Sequence, residues 1–341
     1  MRHVAPAAGL VIALALPGVF PRIEPSVAAG FTAVGRIERL DPRFDALVPP
    51  GAALERVAEG VEWAEGPLWD PTTGSLLFSD VPRNGVYRWT PADGVKLFFQ
   101  PSGYSGQAPF QGREPGSNGL VFDREGRLVM CQHGDRRIAR RERDGRITIL
   151  ADRYQGRRLN SPNDLVYHSS GDLYFTDPPF GLPEAFADPA KEVPFQGVYR
   201  LKTDGSLTLA TRELNAPNGI GFSPDERTLY VANAERARPV WMAYEVRSDG
   251  TLGAGREFAD ATAWIRPGDG VPDGLKIDRL GHVFAAGPGG IHVFAPDGTR
   301  LGRIETGVPT GNLAWGGDGS VLYIAANHWI LRLQTTTKGK S

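Results

Sequence analysis

The chain has 341 residues with nearly balanced charge, 38 basic against 39 acidic side chains, and a formal net charge of −1. This balance provides no basic excess for binding nucleic acid, and the charges form no long acidic or basic block. The single cysteine, Cys131, excludes an intrachain disulfide. The 43 glycines and 28 prolines indicate many tight turns, and the length suits one large all-β domain.

The first 29 residues are predicted to be a secretory signal peptide. A positively charged start precedes an apolar stretch at residues 4–20, and small residues before Gly30 offer a cleavage site near Ala29. Pro6 and Pro17 interrupt the apolar stretch, which disfavours a permanent membrane span. We therefore expect a secreted or periplasmic protein with no membrane attachment after cleavage. An uncleaved N-terminal anchor is the alternative.

A motif then returns six times along the chain. Each repeat opens with a short polar triplet, followed by an apolar stretch, a turn and a second apolar stretch. The triplets are Glu65-Gly66-Pro67, Asn118-Gly119-Leu120, Asn163-Asp164-Leu165, Asn218-Gly219-Ile220, Asp273-Gly274-Leu275 and Asn312-Leu313-Ala314. Each of the first five repeats has room for about four short strands. The sequence therefore predicts an all-β fold, a six-bladed β-propeller.

The propeller is predicted to cover residues 54–335. The sixth repeat has room for only three strands, at residues 313–315, 321–325 and 329–333. Residues 54–58 precede the first repeat and have no partner of their own, so we expect them to supply the missing outer strand and close the ring. Residues 30–53 are then an N-terminal extension, and residues 336–341 are predicted to be a disordered tail.

Two stretches, residues 100–116 and 178–195, are longer than the blades require. The first is rich in Gly, Ser and Pro, and the second contains three phenylalanines. We expect both to form lids over one face, with ordinary surface loops as the alternative.

The triplets place one oxygen-bearing side chain at the same position in every repeat. The innermost strand of each propeller blade lines the central channel, so these side chains are expected to form a ring at one mouth of the channel. The ring consists of Glu65, Asn118, Asn163, Asn218, Asp273 and Asn312. Such carboxylates and carboxamides suit a hard divalent cation, above all Ca²⁺. Turn formation would explain one such triplet, but six in phase favour a metal site.

Four of the triplets, in order and one per blade, resemble the SMP-30/gluconolactonase family, also called the gluconolactonase/luciferin-regenerating-enzyme-like family. The resemblance covers roughly residues 57–333 and implies a six-bladed propeller that hydrolyses lactones with one divalent cation, usually Ca²⁺. The residues that carry it are Glu65-Gly66-Pro67, Pro162-Asn163-Asp164, Pro217-Asn218-Gly219 and Pro272-Asp273-Gly274.

The resemblance also implies roles for individual residues. Asp273 is expected to act as the catalytic acid/base, and Asp164 to hold a ligand or a water. The implied metal ligands are Glu65, Asn163, Asn218 and Asp273. We expect one divalent cation, Ca²⁺ first, with Mg²⁺, Mn²⁺ or Zn²⁺ as alternatives, although Zn²⁺ normally prefers the His and Cys ligands that the ring lacks.

One position departs from the family's animal branch. Members of that branch carry an arginine two residues before the position of Asn163, where it contacts the sugar lactone; this chain has Ser161 there. The substrate therefore cannot be transferred from that branch. Asn118 and the Cys-Gln-His-Gly stretch at residues 131–134 resemble the bacterial gluconolactonase branch instead.

A mechanism follows from the expected site. The cation would bind the lactone carbonyl oxygen and stabilise the oxyanion as water attacks. A carboxylate that binds a cation is a weak base, because the cation stabilises its ionised form. His133 is therefore a second candidate for the base, beside Asp273 and Asp164, and also for substrate binding. Asn118 and Asn312 are predicted to bind substrate hydroxyls.

The leading functional prediction is hydrolysis of a small sugar lactone, such as glucono-1,5-lactone, to the aldonic acid. The alternatives are an arylesterase or organophosphate hydrolase and a non-catalytic ligand-binding propeller, because this fold hosts many functions. The lactone itself and the oligomeric state stay open.

Overall fold

The computed structural model describes residues 31–339, so the predicted signal peptide lies outside the described residues. Six antiparallel sheets surround a central channel, which confirms the predicted six-bladed β-propeller. Within this part of the chain, no helix is long and apolar enough to cross a membrane. The helices there are short 3₁₀ segments, namely Pro42–Ala46, Ala185–Ala187 and Thr262–Trp264.

The strands are numbered in chain order, and the first strand of each blade lines the channel. Before the first blade come β1 Thr32–Val34, β2 Arg36–Arg39 and β3 Leu54–Glu59. Blade 1 contains β4 Ala64–Asp70, β5 Ser75–Asp80, β6 Gly85–Thr90 and β7 Gly94–Phe99. Blade 2 contains β8 Ser117–Phe122, β9 Leu128–Gln132, β10 Arg137–Arg141 and β11 Ile147–Ala151.

A small hairpin separates blades 2 and 3, formed by β12 Arg153–Tyr154 and β13 Arg157–Arg158. Blade 3 contains β14 Leu165–Tyr167, β15 Leu173–Asp177, β16 Gly197–Leu201 and β17 Leu207–Thr211. Blade 4 contains β18 Pro217–Phe222, β19 Thr228–Asn233, β20 Val240–Val246 and β21 Leu252–Asp260. Blade 5 contains β22 Leu275–Ile277, β23 Val283–Gly287, β24 Gly290–Phe294 and β25 Arg300–Glu305. Blade 6 contains β26 Asn312–Gly316, β27 Val321–Ala326 and β28 Trp329–Gln334.

The N-terminal strand β3 pairs with β28 and becomes the outer strand of blade 6, which confirms the predicted closure of the ring. The residues before it also join the sheets. β1 pairs with β3 at the edge of blade 6, and β2 pairs with β25 at the edge of blade 5. The predicted N-terminal extension therefore connects two adjacent blades.

The end of the chain differs from the prediction. Residues 336–339, expected to be disordered, are held by neighbouring blades. The Thr336 hydroxyl donates to the carbonyl of Ala46 at 2.7 Å, and the Thr337 hydroxyl donates to the buried carboxylate of Asp278 at 2.6 Å. Asp278 also forms a bridge with Gly339. These polar contacts leave no hydrophobic pattern in the sequence, which is why the tail resembles a disordered one.

Apolar side chains fill the spaces between adjacent blades. Because each sheet packs against a neighbour on both faces, the second strand of a blade is buried throughout, as in β5, β9 and β23. Between blades 1 and 6, Trp69 stacks on Tyr323 with ring centroids 5.3 Å apart. Cys131 lies wholly inside such a cluster, and burial raises the pKa of its thiol, so it acts as a packing residue.

Candidate active site

The inner strands bring the six ring residues to the same end of the channel. Four of them lie on β4, β8, β18 and β26, near the beginning of each strand, and two lie just before β14 and β22. Five are almost fully buried, whereas Asp273 is partly exposed. A buried polar ring at the mouth of the channel needs partners, because buried polar groups without hydrogen bonds are costly.

Contacts between adjacent blades fix the ring. The Ser79 hydroxyl donates to the carbonyl of Asn118 at 2.9 Å, and the Thr176 hydroxyl donates to the carbonyl of Asn218 at 2.8 Å. The amide of Gly119 donates to the carbonyl of Asn163 at 2.8 Å. The backbone of these ring residues is therefore held by the preceding blade, and their side chains are directed by the strands rather than by flexible loops.

Three carboxamides of the ring have no internal partner. Across residues 31–339, the side chains of Asn118, Asn163 and Asn218 make no hydrogen bond, although at most 6% of each residue is exposed. The Oδ1 atom of Asn118 is fully enclosed. Unpaired buried amides on three consecutive blades indicate a site that takes a polar ligand or a cation.

The two carboxylates of the ring, Glu65 and Asp273, are in surroundings that disfavour their ionised forms. Burial raises the pKa of Glu65, and the nearby carboxylates of Asp164 and Glu114 raise it further. Burial likewise raises the pKa of Asp273 well above its usual range, and Glu65 is the largest charged contributor. Carboxylates in this position favour protonation unless a positive charge lies between them. A bound cation would supply that charge.

Asp164 is connected to the opposite side of the channel. The Nδ2 atom of Asn312 lies 3.4 Å from the Oδ2 atom of Asp164, and the Nζ atom of Lys276 lies 4.0 Å from the same oxygen. Lys276 also donates to the Oδ1 atom of Asn312 at 3.2 Å. The structure thus brings together two predicted site residues, Asp164 and Asn312. The ammonium group of Lys276, which was not predicted as a site residue, lies beside them.

The sequence contains a signal for Lys276. In the other five repeats, the position three residues after the ring residue is apolar or glycine, namely Leu68, Val121, Val166, Gly221 and Trp315. A charged residue in a position that lines the channel is an outlier that comparison of the repeats could have detected.

His133 lies on the same rim, at the end of β9, and is fully buried. Its Nδ1 atom is 2.9 Å from the Oε2 atom of Glu114, in the first predicted lid, yet the two are not aligned as a hydrogen bond. Neither ring nitrogen has a hydrogen-bond partner in the described chain. Glu114 lies outside the repeats, so no pattern in the sequence identified it.

Two other acidic residues of the rim have structural roles. The carboxylate of Asp80 accepts the backbone amides of Glu62 and Trp63 at 3.0 and 3.2 Å. The carboxylate of Asp177 accepts the backbone amide of Asn160 at 2.8 Å. Both therefore cap the loop that leads into a ring triplet, as Asx-type caps do elsewhere.

The donor chemistry at the mouth fits a hard cation. In residues 31–339, no three His, Cys, Asp or Glu side chains are grouped closely enough to hold a metal by themselves, so a metal at this mouth would also need amide ligands. Glu65, Asn163, Asn218 and Asp273 provide two carboxylates and two unpaired carboxamides. Oxygen donors of mixed charge are typical of Ca²⁺ and disfavour Zn²⁺.

Comparison with known proteins agrees with this geometry. The protein-family model described as "SMP-30/Gluconolactonase/LRE-like region" matches residues 63–328. The chain belongs to this family. A gluconolactonase from Zymomonas mobilis is 40% identical over 321 residues, covering 90% of this chain and 88% of that protein. A pentonolactonase from Haloferax volcanii is 27% identical and covers 76% of this chain and 80% of its own length. A solved gluconolactonase structure from Xanthomonas campestris has a TM-score of 0.76 at 33% identity, over 92% of this chain and 98% of that one.

In this member of the SMP-30/gluconolactonase family, Ser161 anchors the second lid. Its hydroxyl donates to the carbonyl of Pro178 at 2.6 Å and accepts the amide of Gly181 at 2.9 Å. Gly181 in turn packs directly on His133, with no room for a side chain between them. The position that carries an arginine in the animal branch therefore holds the loop at residues 178–181 against His133 here.

Proposed function

We propose that the protein hydrolyses a sugar lactone, such as glucono-1,5-lactone, to the aldonic acid with the help of one divalent cation. Ca²⁺ is the favoured ion, with Mg²⁺, Mn²⁺ or Zn²⁺ as alternatives. The observation that carries the proposal is the set of unpaired, buried carboxamides beside two carboxylates at one mouth of the channel. The relatives named for lactone hydrolysis support the substrate class.

Each residue of the mouth has a chemical role in this proposal. Glu65, Asn163, Asn218 and Asp273 hold the cation, which when bound polarises the lactone carbonyl and stabilises negative charge on its oxygen. Asn118 and Asn312 present amides that suit the hydroxyls of a sugar ring. Lys276 holds Asn312 and Asp164 in place from the channel side.

Proton transfer is assigned to the acidic residues and His133. Asp273 is partly exposed at the mouth, so it can reach a substrate, and burial beside Glu65 raises its pKa as long as no cation is bound. In the proposed reaction it passes a proton to the ring oxygen as the ester bond breaks. Asp164 and His133 are the candidates for accepting the proton of the attacking water.

The proposal is tested with purified residues 30–341 and a pH-indicator assay on glucono-1,5-lactone, after subtraction of spontaneous hydrolysis. We expect activity to vanish after chelation with EDTA and to return with Ca²⁺. Asp273→Asn should reduce kcat by about 100-fold or more, as expected when a group that acts in the transition state is lost. Asp249→Asn, an exposed turn residue, serves as the matched control.

Other outcomes identify the alternatives. Metal binding without lactone hydrolysis, followed by activity on phenyl acetate or a fluorophosphate, would favour the arylesterase or organophosphate hydrolase. Calorimetry that detects no cation binding at all would contradict the metal site and favour a ligand-binding propeller.

We also propose that the protein is exported, on the basis of its charged and apolar first residues. N-terminal sequencing of protein recovered from the periplasm or medium should begin near Gly30. Recovery of the intact chain from the cytoplasm would contradict export.

A further inference from the structure

His133 and Glu114 form a pair that the roles described above leave unexplained. His133 is fully buried, and neither of its ring nitrogens has a hydrogen-bond partner in the described chain. A buried imidazole must normally satisfy at least one N–H group, so this arrangement is costly in a purely structural residue. The nearest acceptor is the Oε2 atom of Glu114, 2.9 Å from Nδ1.

The backbone holds these two residues together. The amide of His133 donates to the carbonyl of Gly116 at 3.1 Å, and the amide of Gly116 donates to the carbonyl of Val81 at 2.9 Å. The first lid thus ends in hydrogen bonds to blade 1 and to His133 itself. Glu114 lies two residues before this anchor, and about a third of its side chain is exposed.

The start of the first lid is also fixed. The Oδ1 atom of Asn84 accepts the backbone amides of Gly103 and Tyr104 at 2.7 and 3.1 Å. On the other side, Gly181 of the second lid packs on the His133 side chain. The imidazole therefore lies between the two lids. Glu114 is close enough to the ring carboxylates to raise the pKa of both Glu65 and Asp273.

We propose that Glu114 is a positioning residue that accepts the Nδ1–H of His133 and leaves Nε2 unprotonated. Both lids enclose Nε2 in this structure, and it acts as the general base of the reaction when they admit the substrate and a water. A hydrogen bond at one ring nitrogen of a histidine decides which nitrogen carries the proton. In hydrolytic triads, a carboxylate that accepts the Nδ1–H fixes the tautomer in this way and leaves Nε2 free to act as a base. The inference rests on the proposed lactone hydrolysis. Of the two candidates for accepting the proton of the attacking water, Asp164 and His133, it chooses His133.

The proton transfer balances without any further reactant. As the water oxygen bonds to the carbonyl carbon, its O–H bond breaks, Nε2 takes the proton, and the carbonyl electron pair moves to oxygen. When that pair returns, the bond from the carbonyl carbon to the ring oxygen breaks. The ring oxygen then takes a proton, from His133 or from Asp273, and the hydroxy acid is released.

The experiment compares Glu114→Gln, Glu114→Asp and His133→Gln with Glu184→Gln, a control in the second lid. We expect Glu114→Gln to lower kcat by about 100-fold with little change in KM, and Glu114→Asp to recover part of the loss. The double variant Glu114→Gln/His133→Gln should be no slower than His133→Gln alone, because the two residues act as one unit.

A spectroscopic measurement tests the pair without any substrate. Nitrogen-15 NMR of histidine-labelled protein should show His133 protonated on Nδ1 in the wild type and in Glu184→Gln, and a changed tautomer ratio in Glu114→Gln. An unchanged His133 signal would overturn the pairing. Full activity of Glu114→Gln in a protein that hydrolyses lactone would overturn the catalytic role and leave the proposed function intact. If no variant hydrolyses lactone, the proposed function fails, and the NMR measurement still decides whether the pair exists.

Discussion

Buried carboxylates at the mouth of the channel differ in what their oxygens contact. Asp80 and Asp177 accept backbone amides from the loops that enter the ring, so their negative charge is partly compensated. Glu65 accepts the amide of the adjacent Gly66, at 3.1 Å, and lies among other carboxylates. The first pair holds the loops in place, whereas Glu65 and Asp273 are suited to a cation. The distinction comes from hydrogen-bond partners that residue type alone does not reveal.

Asp177 should make stability depend on pH. Burial raises its pKa from a usual value of 3.8 to about 7 in the folded protein. Below about pH 4 both the folded and unfolded states are protonated, so there is no penalty. Between about pH 4 and 7 only the unfolded state ionises, and the free energy of unfolding falls. Three pKa units correspond to about 4 kcal/mol as an upper estimate.

We therefore compare the free energy of unfolding of Asp177→Asn with that of the wild type, by urea unfolding at pH 5 and at pH 8. The difference between the two proteins should shift in favour of Asp177→Asn as the pH rises from 5 to 8. Asp249→Asn is the control. Hydrogen bonds to Thr251 lower the pKa of the exposed Asp249, so this carboxylate is ionised at both pH values and its loss should have the same effect at each. Equal pH dependence of the wild type and Asp177→Asn would show that the carboxylate does not carry this penalty.

At the scale of the element, the beginning of each inner strand is where adjacent blades approach most closely. A Cβ atom on Gly274 would overlap the carboxamide of Asn312 on the next blade. The backbone of Gly274 does not have a positive φ, so alanine is excluded by space and not by conformation. Its amide also donates to the carbonyl of Gly311 at 2.8 Å, which connects blades 5 and 6.

Gly274→Ala should therefore displace Asn312 and, with it, the contact to Asp164. We expect a loss of lactonase activity and a destabilisation of about 1–3 kcal/mol, the usual cost of overpacking. Gly253→Ala on the outer strand β21 is the matched control, because an added Cβ atom there would press only on Glu245 of the same blade, at 3.3 Å, and on no residue of the ring. Kinetics and thermal unfolding of both variants provide the measurement; wild-type activity in Gly274→Ala would mean that Asn312 can move without consequence.

The repeats made the blades and the ring predictable, because each blade must bury the same faces and begin at the same point of the channel. The closing strand was predictable for the same reason, since the sixth repeat lacks one strand. Glu114 was not, because it lies in a lid with no equivalent in the other blades. The order of residues 336–339 was also missed, since it depends on hydrogen bonds to Ala46 and Asp278, which are distant in sequence.

At the scale of the whole molecule, the ring is closed by more than the pairing of β3 with β28. The 3₁₀ segment before β3 inserts apolar side chains into the core of blades 5 and 6, where Phe44 and Val48 are completely buried. Leu47 and Leu54 are 2% exposed in the same cluster. By contrast, β1 and β2 lie at outer edges, and the side chains of β2 are partly or fully exposed. Closure therefore depends chiefly on the chain from Phe44 to the end of β3.

Two truncations separate these contributions. Burial of four such side chains stabilises the fold by roughly 1.5–3 kcal/mol each, a sum comparable with the whole stability of about 5–15 kcal/mol for a typical protein. A protein that starts at residue 40, without β1 and β2, is expected to stay folded with a lower Tm. One that starts at residue 60 should lose cooperative unfolding and expose the edge of β28, which favours aggregation. Calorimetry and size-exclusion chromatography distinguish them. Cooperative unfolding of the shorter protein at the wild-type temperature would show that the other five blades hold the ring without its N-terminal closure.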